Sequence, residues 1–353
     1  MNMKLCALTP VHLGTGNTLE PFEYVVRDGI FSRISQDRAF SLCIEKHPDF
    51  PEKFFAWIDK KSSELNKARG NQEQNRVISN FNMREFLISE YKDKELADAV
   101  ITGGSAYSCT AQYGFRVNRQ VAECIKSTGS QPYIPGSSIK GAIKTALLYR
   151  ALMQMDPGAA KSLILSVKTT AAWRSTYGSR GLDEPLMKYF FICGDSGGGS
   201  SRTDALYDIM KFLRIGDADL VAGGMAVYPA AIILPDKEPQ KQLSPQEAIT
   251  RGSLLSFNIS VGVAELKTIL SKQHSGWRDL QTKFTCVFGV NPVSVPADRL
   301  ESEVVKSIQD ALRQFSEAQL KLEEKWFSFY KHTLKQEGKP DTTNADTSVV
   351  KRF

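Results

Sequence analysis

YIPGSSIKGAIKTALLYRAL, residues 133–152, decides the fold around it, because a Pro-Gly turn leads directly into a run of good helix formers. Pro135 and Gly136 interrupt the preceding secondary structure, and Ser137 or Ser138 can cap the exposed amides. A helix is therefore predicted to begin here. The first turn of a helix has unpaired N–H groups and a partial positive charge, so it attracts anionic oxygens. The segment therefore predicts a phosphate cradle.

Lys140 and Lys144 lie four residues apart, so a helix places them on the same face as Ser137. An apolar row occupies another face: Ile139, Ile143 and Leu147. Two interpretations stay open, an ordinary capped helix with solvated lysines and a helix that contacts a polyanion. Gly136 and Gly141 are spaced as in a nucleotide-binding P-loop, but alanine and isoleucine follow Gly141 where that motif needs Lys and Ser or Thr, which disfavours a mononucleotide phosphatase.

A second glycine-bearing turn, LCALTPVHLGTG, covers residues 5–16. Its proline, Pro10, suits the end of a strand, and Gly14 and Gly16 allow a ligand to approach the backbone closely. His12 stands just before these glycines, where it could contact phosphate, stack on a base or carry a proton. The alternative is a histidine that finishes a strand and bonds to the backbone.

A third segment, KFLRIGDADL at residues 211–220, completes a pattern. The chain resembles the RAMP superfamily of CRISPR effector proteins, and within it most closely the fifth Csm subunit of type III-A complexes. Members share three motifs in this order: a TPVHLGTG-like start, an IPGSSIKGAIKT-like helix and an RIGDAD-like strand. EAITRGSLLSFNISV at 247–261 also looks like a later strand of the family, so the resemblance touches most of residues 3–262.

Composition fits a globular protein with a mild preference for anions, since the 353 residues carry a net charge of +6 and are 42% hydrophobic. The six cysteines form no CxxC pair, which argues against a zinc ribbon or a disulfide framework and favours a reducing cytoplasm. Neither a signal peptide nor an apolar run long enough to span a membrane is predicted. No cofactor motif and no metal site is predicted.

The resemblance implies an α+β fold with a ferredoxin-like, RRM-related core, and the mixture of strand and helix signals is compatible with it. Asp28 and Gly29 predict a hairpin between two short apolar runs. We predict a discontinuous core, a helical insertion, a helical C-terminal region and a flexible tail, with these bounds: 1–34 and 101–262, 35–100, 263–337, and 338–353.

Four further segments carry expectations. Within the insertion, Lys60 to Arg76 is charged and poor in apolar residues, which suggests either a mobile loop beside RNA or a solvated surface. Residues 107–121 mix aromatics with arginines, as sites for single-stranded RNA and ordinary cores both do. SGGGSS at 196–201 reads as a tether, and the long apolar stripe of 298–334 predicts a helix with a break or a protruding arm.

By the same resemblance, the chain is a non-catalytic subunit that caps the RAMP filament at the 3′ portion of the CRISPR RNA (crRNA) and supports its maturation. Implied partners are crRNA, the other RAMP backbone subunits and small subunits of the Csm complex, and a trimming nuclease. The predicted RNA-binding residues allow close approach to the backbone, contact phosphates or lie on the RIGDAD strand. They are His12, Gly14, Gly16, Gly136, Ser137, Ser138, Lys140, Lys144 and Arg214.

Two other functions stay open. In a metal-independent crRNA endonuclease, His12 would be the general base and Lys140 would stabilise the transition state. In a scaffold, the C-terminal stripe would dock a neighbouring protein and RNA would not touch the glycine loops. The acidic cluster of Asp195, Asp217 and Asp219 is expected to cap turns or pair with arginines. Related subunits continue into a second glycine-rich loop followed by Lys-Thr, which is not found here, so a truncated or a shortened member is expected.

Overall fold

The computed structural model describes residues 1–112, 119–169, 183–194, 206–230, 244–272, 275–277 and 279–336. In these residues helices and strands are both abundant, which confirms the predicted α+β class. Two units can be distinguished within the chain. The N-terminal unit consists of Lys4–Ile134 and Ala218–Ser256, and the C-terminal unit consists of Met1–Met3, Pro135–Asp217 and Phe257–Phe353.

The strands are numbered in chain order. Their bounds are β1 Asn2–Cys6, β2 Gly14–Leu19, β3 Tyr24–Arg27, β4 Ile30–Ile34, β5 Ser105–Ala111, β6 Val121–Cys124, β7 Tyr133–Ile134, β8 Leu213–Ile215, β9 Ala218–Ala222, β10 Met225–Ala230, β11 Ser244–Ile249 and β12 Leu254–Val261.

The α-helices are likewise numbered along the chain. Their bounds are α1 Gln36–Lys46, α2 Phe50–Lys67, α3 Asn71–Ser79, α4 Met83–Phe86, α5 Lys94–Thr102, α6 Gly136–Gln154, α7 Pro157–Thr169, α8 Asp183–Phe191, α9 Val263–Lys272, α10 Leu280–Phe288 and α11 Ala297–Gln336. None of these helices has both the length and the apolar character needed to cross a membrane.

The N-terminal unit is built on a mixed seven-stranded sheet with the order β2-β6-β11-β10-β5-β4-β3. Strands β3 and β4 form the predicted hairpin, with Val26 opposite Phe31. Asp28 and Gly29 at its tip have φ values of 52° and 75°, the left-handed region that a tight hairpin turn requires. β6 and β11 are neighbours in this order and run parallel.

Between β4 and β5, the N-terminal unit forms α1 to α5 and one π-helical turn at Leu87–Tyr91. Their common core is aromatic, with Phe50, Phe54, Trp57 and Phe86 buried and in ring contact. Of the two alternatives for Lys60 to Arg76, the mobile loop is wrong, because α2 continues to Lys67 and α3 follows, whereas the solvated surface agrees with the mostly exposed described residues there. The buried first half of α2 nucleates a helix that its polar second half then extends.

In the C-terminal unit, β8 pairs with residues 259–261 of β12, whereas residues 254–256 of the same strand pair with β9 in the N-terminal unit. Helix α11 is continuous over 40 residues, about 60 Å, so of the two predicted alternatives, a break or a protruding arm, the break is wrong. The first half of α11 buries five apolar side chains: Leu300, Val304, Val305, Ile308 and Ala311.

Several predictions are not tested by this fold. The tether at 196–201, the tail at 338–353 and the aromatic residues Tyr113 and Phe115 lie outside the described residues. The domain bounds drawn from the sequence also stay a prediction, since the two units follow packing within the chain and not the limits of a family core.

Candidate nucleic-acid interface

Helix α6 begins at Gly136, with Pro135 in the N-cap position. The prediction that Ser137 or Ser138 caps this helix is wrong, because both serines already lie inside its first turn. The cap comes instead from Asp217, whose Oδ1 accepts a hydrogen bond from the Gly136 N–H at 2.7 Å. This confirms the expectation that Asp217 acts as a cap, and it joins the turn after β8 to the helix start.

Gly136 is buried at this junction and has no room for a side chain. A Cβ at this position would lie 2.4 Å from the main-chain oxygen of Ile215 and 2.8 Å from that of Gly216. Because real Cβ atoms do not approach backbone oxygens so closely, only glycine lets α6 pack against this turn. The PGSS motif and Arg214–Asp217, the first four residues of the RIGDAD motif, are therefore two halves of one packing arrangement in the C-terminal unit.

The outward face of α6 carries small side chains. Ser137, Ser138, Gly141 and Thr145 are all exposed, and a Cβ at Gly141 would meet no atom within 4 Å. With so little bulk on this face, another molecule can approach the backbone of the first two turns closely. The exposed face of α6 therefore suits a polymeric ligand whose extended backbone runs along the helix.

Both lysines of α6 are bonded to the protein. Lys140 Nζ donates to the main-chain oxygen of Leu213 at 2.8 Å, and burial lowers the pKa of Lys140. Lys144 Nζ pairs with the Asp208 carboxylate at 3.0 Å and lies 4.7 Å from the centre of the Phe191 ring. Each ammonium group is thus only half-buried and fixed in place by one protein oxygen.

Arg214 lies on β8 with two-thirds of its side chain exposed, and its guanidinium is 3.4 Å from Glu265. Lys211 approaches the same carboxylate at 3.5 Å, so two basic groups share one acidic partner. Arg214 is the most exposed of the predicted basic residues in the C-terminal unit, and its weak ion pair leaves it able to turn toward a ligand.

In the N-terminal unit, the loop before β2 places His12 beside Gly14. His12 Nδ1 lies 2.6 Å from the main-chain oxygen of Glu247, and Nε2 lies 3.0 Å from where a Gly14 Cβ would be. Gly14 and Gly16 are exposed, and Gly16 has φ of 89°, which favours glycine. His12 and Gly14 are therefore in close contact, and Gly16 follows two residues later in β2.

Sequence reasoning missed the group beneath this loop. The Glu247 carboxylate is fully buried and bonds to Lys126, to Tyr107 and to the main-chain N–H of Cys124. Tyr107 belongs to the aromatic and arginine-rich stretch 107–121, and here it is part of a core network. The one sequence signal was a charged residue, Glu247, at the head of the strand-like segment 247–261.

The predicted site residues fall into two sets. His12, Gly14 and Gly16 belong to the N-terminal unit, and the remaining six belong to the C-terminal unit: Gly136, Ser137, Ser138, Lys140, Lys144 and Arg214. Within the described ranges, no three His, Cys, Asp or Glu side chains come close enough to hold a metal ion. Asp195, of the predicted acidic cluster, lies outside those ranges.

The fold is similar to that of two solved structures. The crystal structure of T. onnurineus Csm5 matches 94% of this chain and 86% of its own, with a TM-score of 0.58 and 21% identity. A chain of the cryo-EM structure of a Csm-crRNA-target RNA ternary complex in a type III-A CRISPR-Cas system matches 94% of this chain and 81% of its own, with a TM-score of 0.56 and 23% identity. These likenesses confirm the RAMP type of fold.

Sequence comparison points the same way. A Streptococcus thermophilus protein described as CRISPR system Cms protein Csm5 is 28% identical over 151 residues, which are 41% of this chain and 37% of that protein. The alignment thus spans well under half of that relative. The family model of the RAMP superfamily matches residues 4–320, most of the chain. This chain belongs to the RAMP superfamily.

Proposed function

We propose that this chain is a non-catalytic RNA-binding subunit of a type III-A CRISPR (Csm) effector complex. In this role it caps the RAMP filament at the 3′ portion of the crRNA and supports crRNA maturation in antiviral defence, in the cytoplasm. The observation that carries the proposal is the match of 94% of the chain to a chain of a Csm-crRNA-target RNA complex. The match to Csm5 over the same share of the chain supports the choice of subunit.

The start of α6 supports RNA contact on physical grounds. Its exposed serines and Gly141 leave room for a sugar-phosphate backbone along the first two turns, while the Gly136 N–H at the helix start is already bonded to Asp217. Such contacts fix the position of the RNA and read little sequence, as a guide of variable sequence requires.

Lys140 and Lys144 can serve phosphates without leaving their protein partners. An ammonium group has three N–H donors, and one of them is used by Leu213 or by Asp208. The remaining donors of each half-buried group can bind phosphate oxygens. A lysine fixed in this way loses less side-chain entropy on binding RNA than a free one.

Binding of the RNA is the whole task assigned to this chain, with no bond breaking by the subunit itself. Its partners would be crRNA, the other RAMP backbone subunits, the small subunits and a trimming nuclease. A direct assay tests the non-catalytic role: incubation of the purified chain with labelled repeat RNA, with and without magnesium, should leave the RNA intact. Cleavage that disappears in the His12→Ala variant would support the endonuclease alternative instead.

Purification from cells tests the function as a whole. The chain is tagged in cells that express a complete type III CRISPR operon, purified gently, and its proteins and RNA are identified. We expect other RAMP subunits together with spacer-derived RNA. A chain that purifies alone and without RNA would contradict the proposal. Recovery of other RAMP subunits without RNA would favour the scaffold alternative.

A further inference from the structure

Glu247 carries a charge in the interior of the N-terminal unit, which is costly unless the carboxylate is fully bonded. It receives hydrogen bonds from Lys126 Nζ at 2.6 Å, from the Cys124 N–H at 2.9 Å and from the Tyr107 hydroxyl. Burial and the charge of Glu247 raise the pKa of Tyr107, so its phenol remains a donor. Three donors from β5, β6 and the residues after it therefore hold Glu247 in one place.

The main chain of the same residue determines the state of His12. Its carbonyl oxygen, 2.6 Å from His12 Nδ1, can only accept a hydrogen bond, so Nδ1 must carry the proton. In the neutral imidazole the other nitrogen, Nε2, is then an acceptor. The Glu247 carbonyl thus selects one tautomer and one orientation of His12, and the buried carboxylate of the same residue anchors Glu247 in β11.

Nε2 points to a place that a ligand can reach. It lies beside Gly14, on an exposed part of β2, and has no hydrogen-bond partner in the part of the chain that the structure describes. The single buried side-chain nitrogen or oxygen without a partner among those residues is Arg150 Nε, so His12 Nε2 contacts solvent. Gly14 keeps this side open, since a Cβ there would press against the ring.

We infer that Glu247 is a positioning residue for His12, which presents Nε2 as a hydrogen-bond acceptor to a donor group of single-stranded RNA. The donor is a ribose 2′-hydroxyl or a base N–H, the two groups of a nucleotide that can supply this bond. The inference rests on the proposed RNA-binding function and adds to it a specific contact and the buried residues that hold it.

The sharpest test uses variants that separate the two nitrogens of His12. In His12→Asn the side-chain amide can still donate to Glu247, but nothing replaces the Nε2 acceptor. Gly14→Ala displaces the ring without changing any charge. Gly129→Ala is the matched control, because a Cβ there meets no atom within 4 Å and its unit is the same.

The readout is fluorescence anisotropy of the full chain with a fluorescein-labelled single-stranded RNA of mixed sequence, and with its 2′-deoxy counterpart. We expect His12→Asn and Gly14→Ala to weaken RNA binding about fivefold, the value of one ordinary hydrogen bond, and Gly129→Ala to leave it unchanged. A loss confined to RNA identifies the ribose hydroxyl, and an equal loss with both strands identifies a base. Unchanged binding of both strands by His12→Asn overturns the inference.

Positioning is measured separately from affinity. The chain has four histidines, so selective ¹⁵N labelling of histidine gives few signals, and the His12→Asn spectrum assigns one of them. We expect the Nδ1–H tautomer for His12 in the wild type, because the Glu247 carbonyl oxygen can only accept a hydrogen bond from Nδ1. An Nε2–H tautomer in the wild type overturns the inference even if RNA binds. Failure of the wild type to retain RNA in the purification would instead overturn the proposed function.

Discussion

Asp217 accepts a hydrogen bond from the main-chain N–H of Gly136 at 2.7 Å, so the first amide of α6 is bonded to a carboxylate of the protein itself. The helix start that attracts anions is therefore partly satisfied from within the C-terminal unit. What remains for a ligand is the outward face of the first two turns and the spare donors of Lys140 and Lys144. This shifts the proposed phosphate contacts along the helix by about one turn.

Asp217→Ala should destabilise the chain by about 1 kcal/mol, because it removes the cap of α6. The measurement is urea-induced unfolding followed by circular dichroism. Asp219→Ala is the control, since Asp219 is an exposed residue two positions further along. A loss of similar size in both variants would show that the cap contributes nothing beyond a change of surface charge.

Two glycines of α6 should respond to alanine in opposite directions. Gly136→Ala forces a Cβ to 2.4 Å from the Ile215 oxygen, and we expect a loss of about 2 kcal/mol in the free energy of unfolding. Gly141→Ala places its Cβ in open space and should stabilise the helix by about 0.5–1 kcal/mol.

Thermal unfolding of both variants beside the wild type checks this pair. The melting temperature of Gly136→Ala should fall and that of Gly141→Ala should rise. If Gly136→Ala were as stable as the wild type, α6 could move away from the turn after β8, and the close packing of the two motifs would not be required for folding.

Much of this fold was readable from local signals. The hairpin at Asp28 and Gly29, the helix that follows Pro135, and the strands at Phe31 and Leu255 each depend on a few adjacent residues, whose preferences the sequence displays directly. For Lys60 to Arg76 the solvated-surface alternative agrees with the exposed residues, but the mobile-loop alternative is wrong, because composition alone does not show that a helix nucleated by buried Phe54 continues through polar residues.

The missed features all depend on distant partners. Asp217 and Gly136 are 81 positions apart, so no local pattern shows which group caps α6. Arg150 is buried and donates to main-chain oxygens of Val287 and Ser307, although a lysine- and arginine-bearing helix face reads as solvated. Glu247 likewise looked like one more charged residue at a strand end. Long-range polar contacts of this kind depend on the fold, so they cannot be predicted from the sequence before the fold is known.

Asp93 predicts how the N-terminal unit responds to acid. It caps α5 through the Leu96 N–H and pairs with Lys46 at 2.8 Å and with His47 at 3.1 Å. The Lys46 bond and then the Leu96 bond hold the pKa of Asp93 well below its usual range. Because the unfolded chain then binds the proton more readily, this stability is present above about pH 4 and is lost as the pH falls further.

Asp93→Asn should therefore unfold more easily than the wild type at pH 7, and the difference should shrink between about pH 4 and pH 2. Denaturant unfolding at several pH values measures both effects. Asp98→Asn is the control, because the Asp98–Arg27 pair is about half exposed and contributes little. A pH-independent difference for Asp93→Asn would mean that its charge is not the source of the stability.

The final prediction concerns Lys140 and Lys144. If each contacts one phosphate, replacing both with alanine should weaken binding of single-stranded RNA and reduce the slope of log K against log salt by about 1.4, which is about 0.7 for each lost contact. Lys267→Ala is a matched control, because Lys267 is half-buried in the same unit and its ammonium also donates to a main-chain oxygen, that of Val295, at 2.8 Å.

The control matters because both α6 lysines have protein partners, so their loss also affects folding. A general loss of stability would weaken RNA binding in Lys267→Ala as well. It would leave the slope of log K against log salt unchanged. A reduced slope in the double variant alone therefore separates phosphate contact from folding. An unchanged slope would mean that these ammonium groups only fasten α6 to Leu213 and Asp208, and that the RNA contacts lie elsewhere on the chain.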